Sequence, residues 1–241
     1  VNVSSTIYEN IEEWRGCSCL LCSNSDDNFA KQTDPDNYIP RFESVPNPNS
    51  PDNYETSNTY LDSLIWGGSW DLTTDYGGPA GTITYSFSNW EWNTGSDFFW
   101  YDYEIAAIKE ALNTISSVID VTFEEKPFNT PDENGYFENI AFIPMYDGDF
   151  LGFHGVPAAI NDEDNYLTVS DHTLIGVYNI SEEVWDETTL VRGGQAFATV
   201  IHEVLHGLGL AHPHDDGGGS LIFPGVTGPF DSFGDYGLNQ E

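Results

Sequence analysis

The sequence predicts a mixed α+β protein built on a twisted sheet of about five strands. Three observations predict this class: segments with the apolar alternation of strands, two longer segments with helical apolar spacing, and the interleaving of the two kinds along the chain. Hydrophobic residues make up 39% of the 241 residues, and this is enough for one sizeable core.

The strands are predicted from short apolar patterns. In Gly81–Phe87 the apolar side chains Ile83, Tyr85 and Phe87 fall on one face and hydroxyl side chains on the other, as in a half-buried strand. Further strands are predicted at Asp120–Glu125, Asn139–Met145 and Thr173–Ile180.

Two segments have helical patterns. Tyr101–Ile119 carries apolar residues at steps of three and four, which predicts a long amphipathic helix in the N-terminal half of the globular part. Gly193–Gly209 is apolar on nearly all sides, which predicts a second, buried helix.

The first 58 residues differ in composition from the rest. They hold a cysteine cluster and then a stretch rich in Pro, Asn, Asp and Ser, which is typical of an extended linker or wrapping arm. We therefore expect two parts, an arm at residues 1–58 and a globular domain at residues 59–241.

The chain is strongly acidic, with 40 acidic and 6 basic residues and a formal charge of −34. Such a polyanion is repelled by nucleic acid and by anionic membranes, and neither is expected as a partner. No apolar run is long enough to span a bilayer. The remaining explanations are cation binding, a high-salt habitat or solubility, and the self-repulsion makes calcium dependence a reasonable expectation.

Four of the six histidines lie in HEVLHGLGLAHPHD, which begins at His202. His202 and His206 are four residues apart, so a helix presents both imidazoles on one face. A turn at Gly209 would bring His212 to the same point. The alternative is a buried helix with two structural histidines.

Three imidazoles with one position left open suit a catalytic zinc ion. Zinc lowers the pKa of a bound water to about 7, and Glu203, displaced by about 100° from His202, could take the proton of that water without being a ligand.

This segment resembles the zinc signature HExxHxxGxxH of the metzincin peptidases, and among them the secreted serralysin group. The likeness includes Pro213 and Asp215, and it extends to LDSLIWGGSW, GTITYSF and a strand, NIAFIP, similar to the edge strand that pairs with substrate. The resemblance implies a metzincin-type catalytic domain with His202, His206 and His212 as zinc ligands and Glu203 as general base. It also implies a secreted protein.

Two metzincin features are not found in the sequence. The methionine turn beneath the zinc has no counterpart, because the sole methionine, Met145, lies far upstream of the motif. The calcium-binding glycine-rich repeats of serralysins are also missing. We therefore expect the C-terminal subdomain to be truncated and the chain to be a piece of a longer protein.

All three cysteines, Cys17, Cys19 and Cys22, lie in the arm. A thiolate is a good zinc ligand, so one of them could cap the open position and keep the enzyme latent, as in the related matrix metalloproteinases. The alternatives are a local disulfide with one free thiol, a small separate metal site, or inert cysteines.

Acidic loops offer candidate calcium ligands, although none matches a twelve-residue calcium loop. Solvated loops are the alternative for all of them. His154 and His172 are interpreted as isolated surface histidines or, less simply, as a second metal site. The candidate calcium residues are Asp147, Asp149, Asp215 and Asp216, with Asp162, Glu163 and Asp164 in a further acidic loop.

These observations predict a zinc-dependent endopeptidase that acts on protein or peptide substrates and carries its own propeptide as an intramolecular partner. One alternative is a catalytically silent zinc-containing binding or adhesion module of a larger secreted protein. Another is a zinc hydrolase that acts on a non-peptide bond.

Overall fold

The structure is a computed structural model that describes residues 42–44, 58–66, 68–70, 81–132, 135–146, 150–157, 173–181, 185–213 and 222–226. Within these ranges no helix has the length and apolar character needed to cross a membrane. The elements in chain order are β1 (Phe42–Ser44), α1 (Thr59–Asp62), β2 (Gly68–Trp70), β3 (Thr82–Phe87), α2 (Asp102–Ser116), β4 (Thr122–Glu125), β5 (Ile140–Met145), β6 (Gly152–His154), β7 (Leu174–Asn179) and α3 (Gln195–Gly207).

Five of these strands form one sheet in the order β4-β3-β5-β7-β6. The first four are parallel, and β6 alone runs antiparallel, paired with β7. The predicted mixed fold with a sheet of about five strands is thereby confirmed.

The predicted place of the NIAFIP strand in the sheet is wrong. This segment forms β5, which lies in the middle of the sheet between β3 and β7. All six residues of Ile140–Met145 are buried, because a parallel strand covered on both faces needs a continuous apolar run. The strands at the two edges are β4 and β6, and β6 contacts the helix α3.

Both faces of the sheet are covered. On one face, α2 and α3 pack over Ile140, Phe142, Leu174 and Tyr178. On the other face, a second apolar cluster contains Trp92, Ala141, Ile143, Met145, Phe153, Ile175 and Val177. Since Phe153 points to this second face, its neighbours in β6 point towards the helices.

Helix α2 begins at a buried carboxylate. The amide of Tyr101 donates to Glu104 Oε2 at 2.8 Å, and the indole of Trp185 donates to Glu104 Oε1 at 2.9 Å. Burial raises the pKa of the Glu104 carboxyl, and the two hydrogen bonds offset part of this effect. The cap thus ties the start of α2 to the segment that precedes α3.

Strand β1 lies in the predicted arm and pairs with β2 beyond it. The pairing is antiparallel and places Phe42 opposite Trp70 and Ser44 opposite Gly68. The end of the arm is therefore attached to a strand of the globular part.

Candidate metal centre

The histidine motif lies on α3 and on the turn that follows it. The helix spans Gln195–Gly207, and its prediction over Gly193–Gly209 is accurate to two residues at each end. Both glycines at the ends of the predicted range have positive φ, 85° at Gly193 and 102° at Gly209, which L side chains rarely adopt. Glycine at these positions therefore starts and ends the helix.

The turn at Gly209 reverses the chain. The amide of Gly209 donates to the His206 carbonyl at 2.8 Å, and the amide of Leu210 donates to the Leu205 carbonyl at 3.0 Å. These bonds use carbonyl groups that the end of a helix would otherwise leave without partners. The reversal brings His212 back towards the helix.

A second segment of the chain holds this turn in place. The amide of Trp66 donates to the Gly209 carbonyl at 2.9 Å, and the amide of Ala211 donates to the Leu64 carbonyl at 3.0 Å. Ile65 and Leu210 form an antiparallel bridge between these two bonds. The loop that leads to His212 is thus fixed by backbone contacts.

The three histidines converge through their Nε2 atoms. The distances are 3.0 Å from His206 to His202, 2.9 Å from His206 to His212 and 3.3 Å from His212 to His202. Zinc–nitrogen bonds of about 2.0–2.1 Å at tetrahedral angles would separate the nitrogens by about 3.3 Å. The spacing is therefore close to that of three ligands of one ion.

The tautomer of His206 can be assigned from its hydrogen bond. Its Nδ1 lies 2.7 Å from the carbonyl oxygen of Leu210, and since a carbonyl can only accept, Nδ1 carries the proton. The neutral ring then presents a bare Nε2 lone pair to His202 and His212. Such an orientation by the second ring nitrogen is typical of metal-binding histidines, and the three residues form a group that could hold a metal ion.

The histidines differ in exposure. His206 and His212 are buried, whereas His202 is half-buried. A ligand could therefore reach the group from the side of His202. Open access on one side is what a metal centre with a free coordination position requires.

Glu203 is fully buried and follows His202 on α3. A Cβ atom at Gly152 of β6 would lie 3.1 Å from Glu203 Cγ, so the glycine makes room for this side chain. Glu203 does not belong to the ligand group of the three histidines found in the described part of the chain. Glu203 therefore lies between α3 and β6, directly after His202 in the chain.

Several predicted residues lie outside the described residues. These are the arm cysteines Cys17, Cys19 and Cys22, the candidate calcium ligands Asp147, Asp149, Asp215 and Asp216, the loop residues Asp162, Glu163 and Asp164, and His172 and His214.

The interpretation of His154 as a surface histidine is wrong. It is 2% exposed and lies in β6, with Nδ1 donating to the Gly155 carbonyl at 2.6 Å. It is not among the residues that could hold a metal ion in the described ranges. The strand has only three residues, too few for a readable alternation of apolar and polar positions, and for this reason the sequence did not indicate the burial.

Fold and site together define a mixed α/β protein with a group of three histidines that could hold a metal ion. No family model matches the chain, and no curated protein does. One solved structure that it resembles is that of myroilysin, at 17% sequence identity and a TM-score of 0.32. The match covers 55% of this chain and 50% of that chain, so the chain spans about half the length of that protein.

Proposed function

We propose that this protein is a zinc-dependent endopeptidase of the metzincin type. The observation that carries the proposal is the convergence of three Nε2 atoms at 2.9–3.3 Å, with the bare lone pair of His206 directed at the other two rings. Lone pairs this close repel one another unless they share a cation or a proton. A bound ion is therefore the state that this geometry suits.

Zinc is the metal that the donor set favours. Neutral imidazoles are borderline-soft ligands, and three of them with an open fourth position are the usual set of a catalytic zinc site. Zinc in such a site lowers the pKa of a bound water to about 7 and polarises a substrate carbonyl.

Glu203 supplies the proton transfers in this proposal. As general base it would accept a proton from the attacking water, and as general acid it would deliver the proton to the leaving amine. Its place directly after His202 on α3 and its burial against β6 support this role, because the side chain is held in a fixed position next to the histidine group.

The edge of the sheet supports a peptide substrate rather than a non-peptide one. In the described part of the chain, strand β6 forms one edge of the sheet. It packs against the helix that carries the histidines. An extended peptide can add to such an edge through main-chain hydrogen bonds. The scissile bond would then lie beside the metal.

We further propose that the protein is secreted and that the arm keeps it latent, with a thiolate of Cys17, Cys19 or Cys22 at the open metal position. The pairing of β1 with β2 supports this, since it attaches the arm to the globular part. From Phe42 the chain back to Cys22 could span up to about 66 Å when extended, at about 3.3 Å per residue. We also propose that the acidic loops bind calcium.

The test uses the purified chain and a variant in which all three cysteines are replaced by serine. Zinc content is measured first, and hydrolysis of a quenched fluorescent peptide is then followed with and without added zinc. We expect bound zinc in both proteins and faster hydrolysis in the cysteine variant. Glu203→Gln is the control, because it retains zinc and should lose at least about a thousandfold in kcat.

Each result separates one alternative. If zinc binds but neither protein cleaves the peptide, this chain is catalytically silent, as the binding-module alternative requires. If hydrolysis persists in the Glu203→Gln variant, it does not come from this site. A folded chain without zinc affinity would refute the proposed function.

A further inference from the structure

The contact between β6 and α3 matches small residues with large ones. Gly152 and His154 are two apart on the strand and point to the same side, while Glu203 and Gly207 are four apart on one helix face. The small Gly152 lies against Glu203, and the large His154 lies against Gly207. This pairing fixes the register of the edge strand against the helix.

The imidazole of His154 is held between two backbones. A Cβ atom at Gly207 would lie 2.3 Å from His154 Cε1, and one at Gly176 of β7 would lie 2.6 Å from His154 Cδ2. Both distances are far below normal carbon contacts of about 3.5–4.0 Å. Only glycine on either side lets the ring occupy this slot.

We propose that His154 is a positioning residue for the metal centre, because its ring sets the distance between the sheet and the last turn of α3. The inference rests on the proposed metal site. Gly207 directly follows His206, and the chain turns at Gly209 towards His212. A shift of the backbone at Gly207 therefore displaces two of the three imidazoles.

The hydrogen bond of His154 explains why this slot holds an imidazole rather than a phenyl ring. Nδ1 donates to the Gly155 carbonyl at 2.6 Å, and this bond fixes the plane of the ring in the slot. Nε2 has no hydrogen-bond partner among the described residues and faces the interior. A phenyl ring would fill much of the same volume without the bond that orients it.

The experiment compares zinc affinity in His154→Ala, His154→Phe, Gly207→Ala and the double variant His154→Ala/Gly207→Ala. Competition with a chromophoric chelator gives the affinity, and the visible spectrum of the cobalt-substituted protein reports the ligand geometry. We expect His154→Ala to weaken zinc binding about tenfold, at the lower end of what residues behind metal ligands contribute. Gly207→Ala should weaken it at least as much.

The double variant is the sharpest test. The alanine at position 207 fills part of the space that the lost ring leaves, so zinc affinity should recover relative to Gly207→Ala alone. His154→Phe should keep the fold and give an altered cobalt spectrum. This variant and the double variant decide the question even if His154→Ala does not fold.

Ile143→Ala is the matched control, since Ile143 is buried on the opposite face of the sheet. It should lower the stability of the metal-free protein while zinc affinity stays within about twofold of the native value. If zinc affinity and the cobalt spectrum are the same in the His154 variants as in this control, the positioning role is wrong. If the native protein binds no zinc, both this inference and the proposed function fall.

Discussion

Trp70 donates a hydrogen bond from its indole Nε1 to the carbonyl oxygen of Gly207, at 2.7 Å and across 137 residues of chain. Gly207 is thus held from two sides, by Trp70 at its carbonyl and by His154 against its Cα. Because Trp70 lies in β2, the hydrogen bond also links the last turn of α3 to the strand that pairs with the arm.

Replacing Trp70 with phenylalanine should lower the free energy of unfolding by about 1–3 kcal/mol, because a buried carbonyl loses its donor. Zinc affinity should fall as well, and chemical denaturation and chelator competition measure the two effects. Trp100→Phe is the matched control: Trp100 makes the same kind of bond, to the Ser88 carbonyl at 3.0 Å, and Ser88 does not belong to the histidine group. Equal loss of zinc affinity in both variants would contradict the anchoring role.

Gly152→Ala should lower kcat, through displacement of Glu203, more strongly than it lowers the stability of the fold. The added methyl group would lie 3.1 Å from Glu203 Cγ and 3.1 Å from the Val177 carbonyl, so the carboxylate side chain must move. We expect a loss of about tenfold or more in kcat with zinc still bound. Gly135→Ala serves as control, since its Cβ would meet no atom within 4 Å and only its φ of 87° is strained. Its kcat should be unchanged.

The metal-free protein should lose stability as the pH falls from about 6.5 to 4. Burial lowers the pKa of His154 from 6.5 to about 4, so the unfolded chain binds a proton in this window that the folded chain does not. Stability therefore rises with pH across the window, by roughly 3 kcal/mol at most. The free energy of unfolding, taken from denaturation curves at several pH values, should change less steeply with pH in His154→Gln than in the native protein. Identical slopes would mean that His154 does not contribute.

Salt should raise the melting temperature of this protein. Two exposed ion pairs, Lys109–Glu125 and Arg192–Glu110 at 2.6 Å each, lose attraction when salt is added, but such pairs contribute about 1 kcal/mol or less. Self-repulsion at a formal charge of −34 is larger and is screened at the same time.

The measurement is a thermal melt at increasing concentrations of sodium chloride, repeated with calcium chloride and with magnesium chloride at equal ionic strength. An additional rise with calcium, beyond that with magnesium, would support calcium binding by the acidic loops. A melting temperature that falls with sodium chloride would show that the ion pairs outweigh the repulsion.

The histidine cluster could be predicted from the sequence because its geometry is local. His202 and His206 converge through one turn of helix, and Gly209 marks the point where the chain reverses towards His212. All of these positions lie within eleven residues, so the rules of helix periodicity and helix ends suffice.

The surroundings of the cluster could not be predicted, because they depend on contacts between distant segments. The order of strands decides that β5 is central and β6 is at the edge, and an apolar run alone does not indicate its neighbours. The slot for His154 requires glycines from β7 and α3, and each of these glycines has no distinctive local pattern. The bridge between Ile65 and Leu210 likewise joins opposite ends of the described globular part.

That bridge bears on the order of events during synthesis. The turn before His212 is secured by Leu64–Trp66, which leave the ribosome long before the helix does, and such distant segments meet late in folding. All three histidines would therefore be present in the nascent chain before their side chains are positioned to bind a metal ion. For the proposed endopeptidase, this delay would protect unfolded copies of the chain from self-digestion.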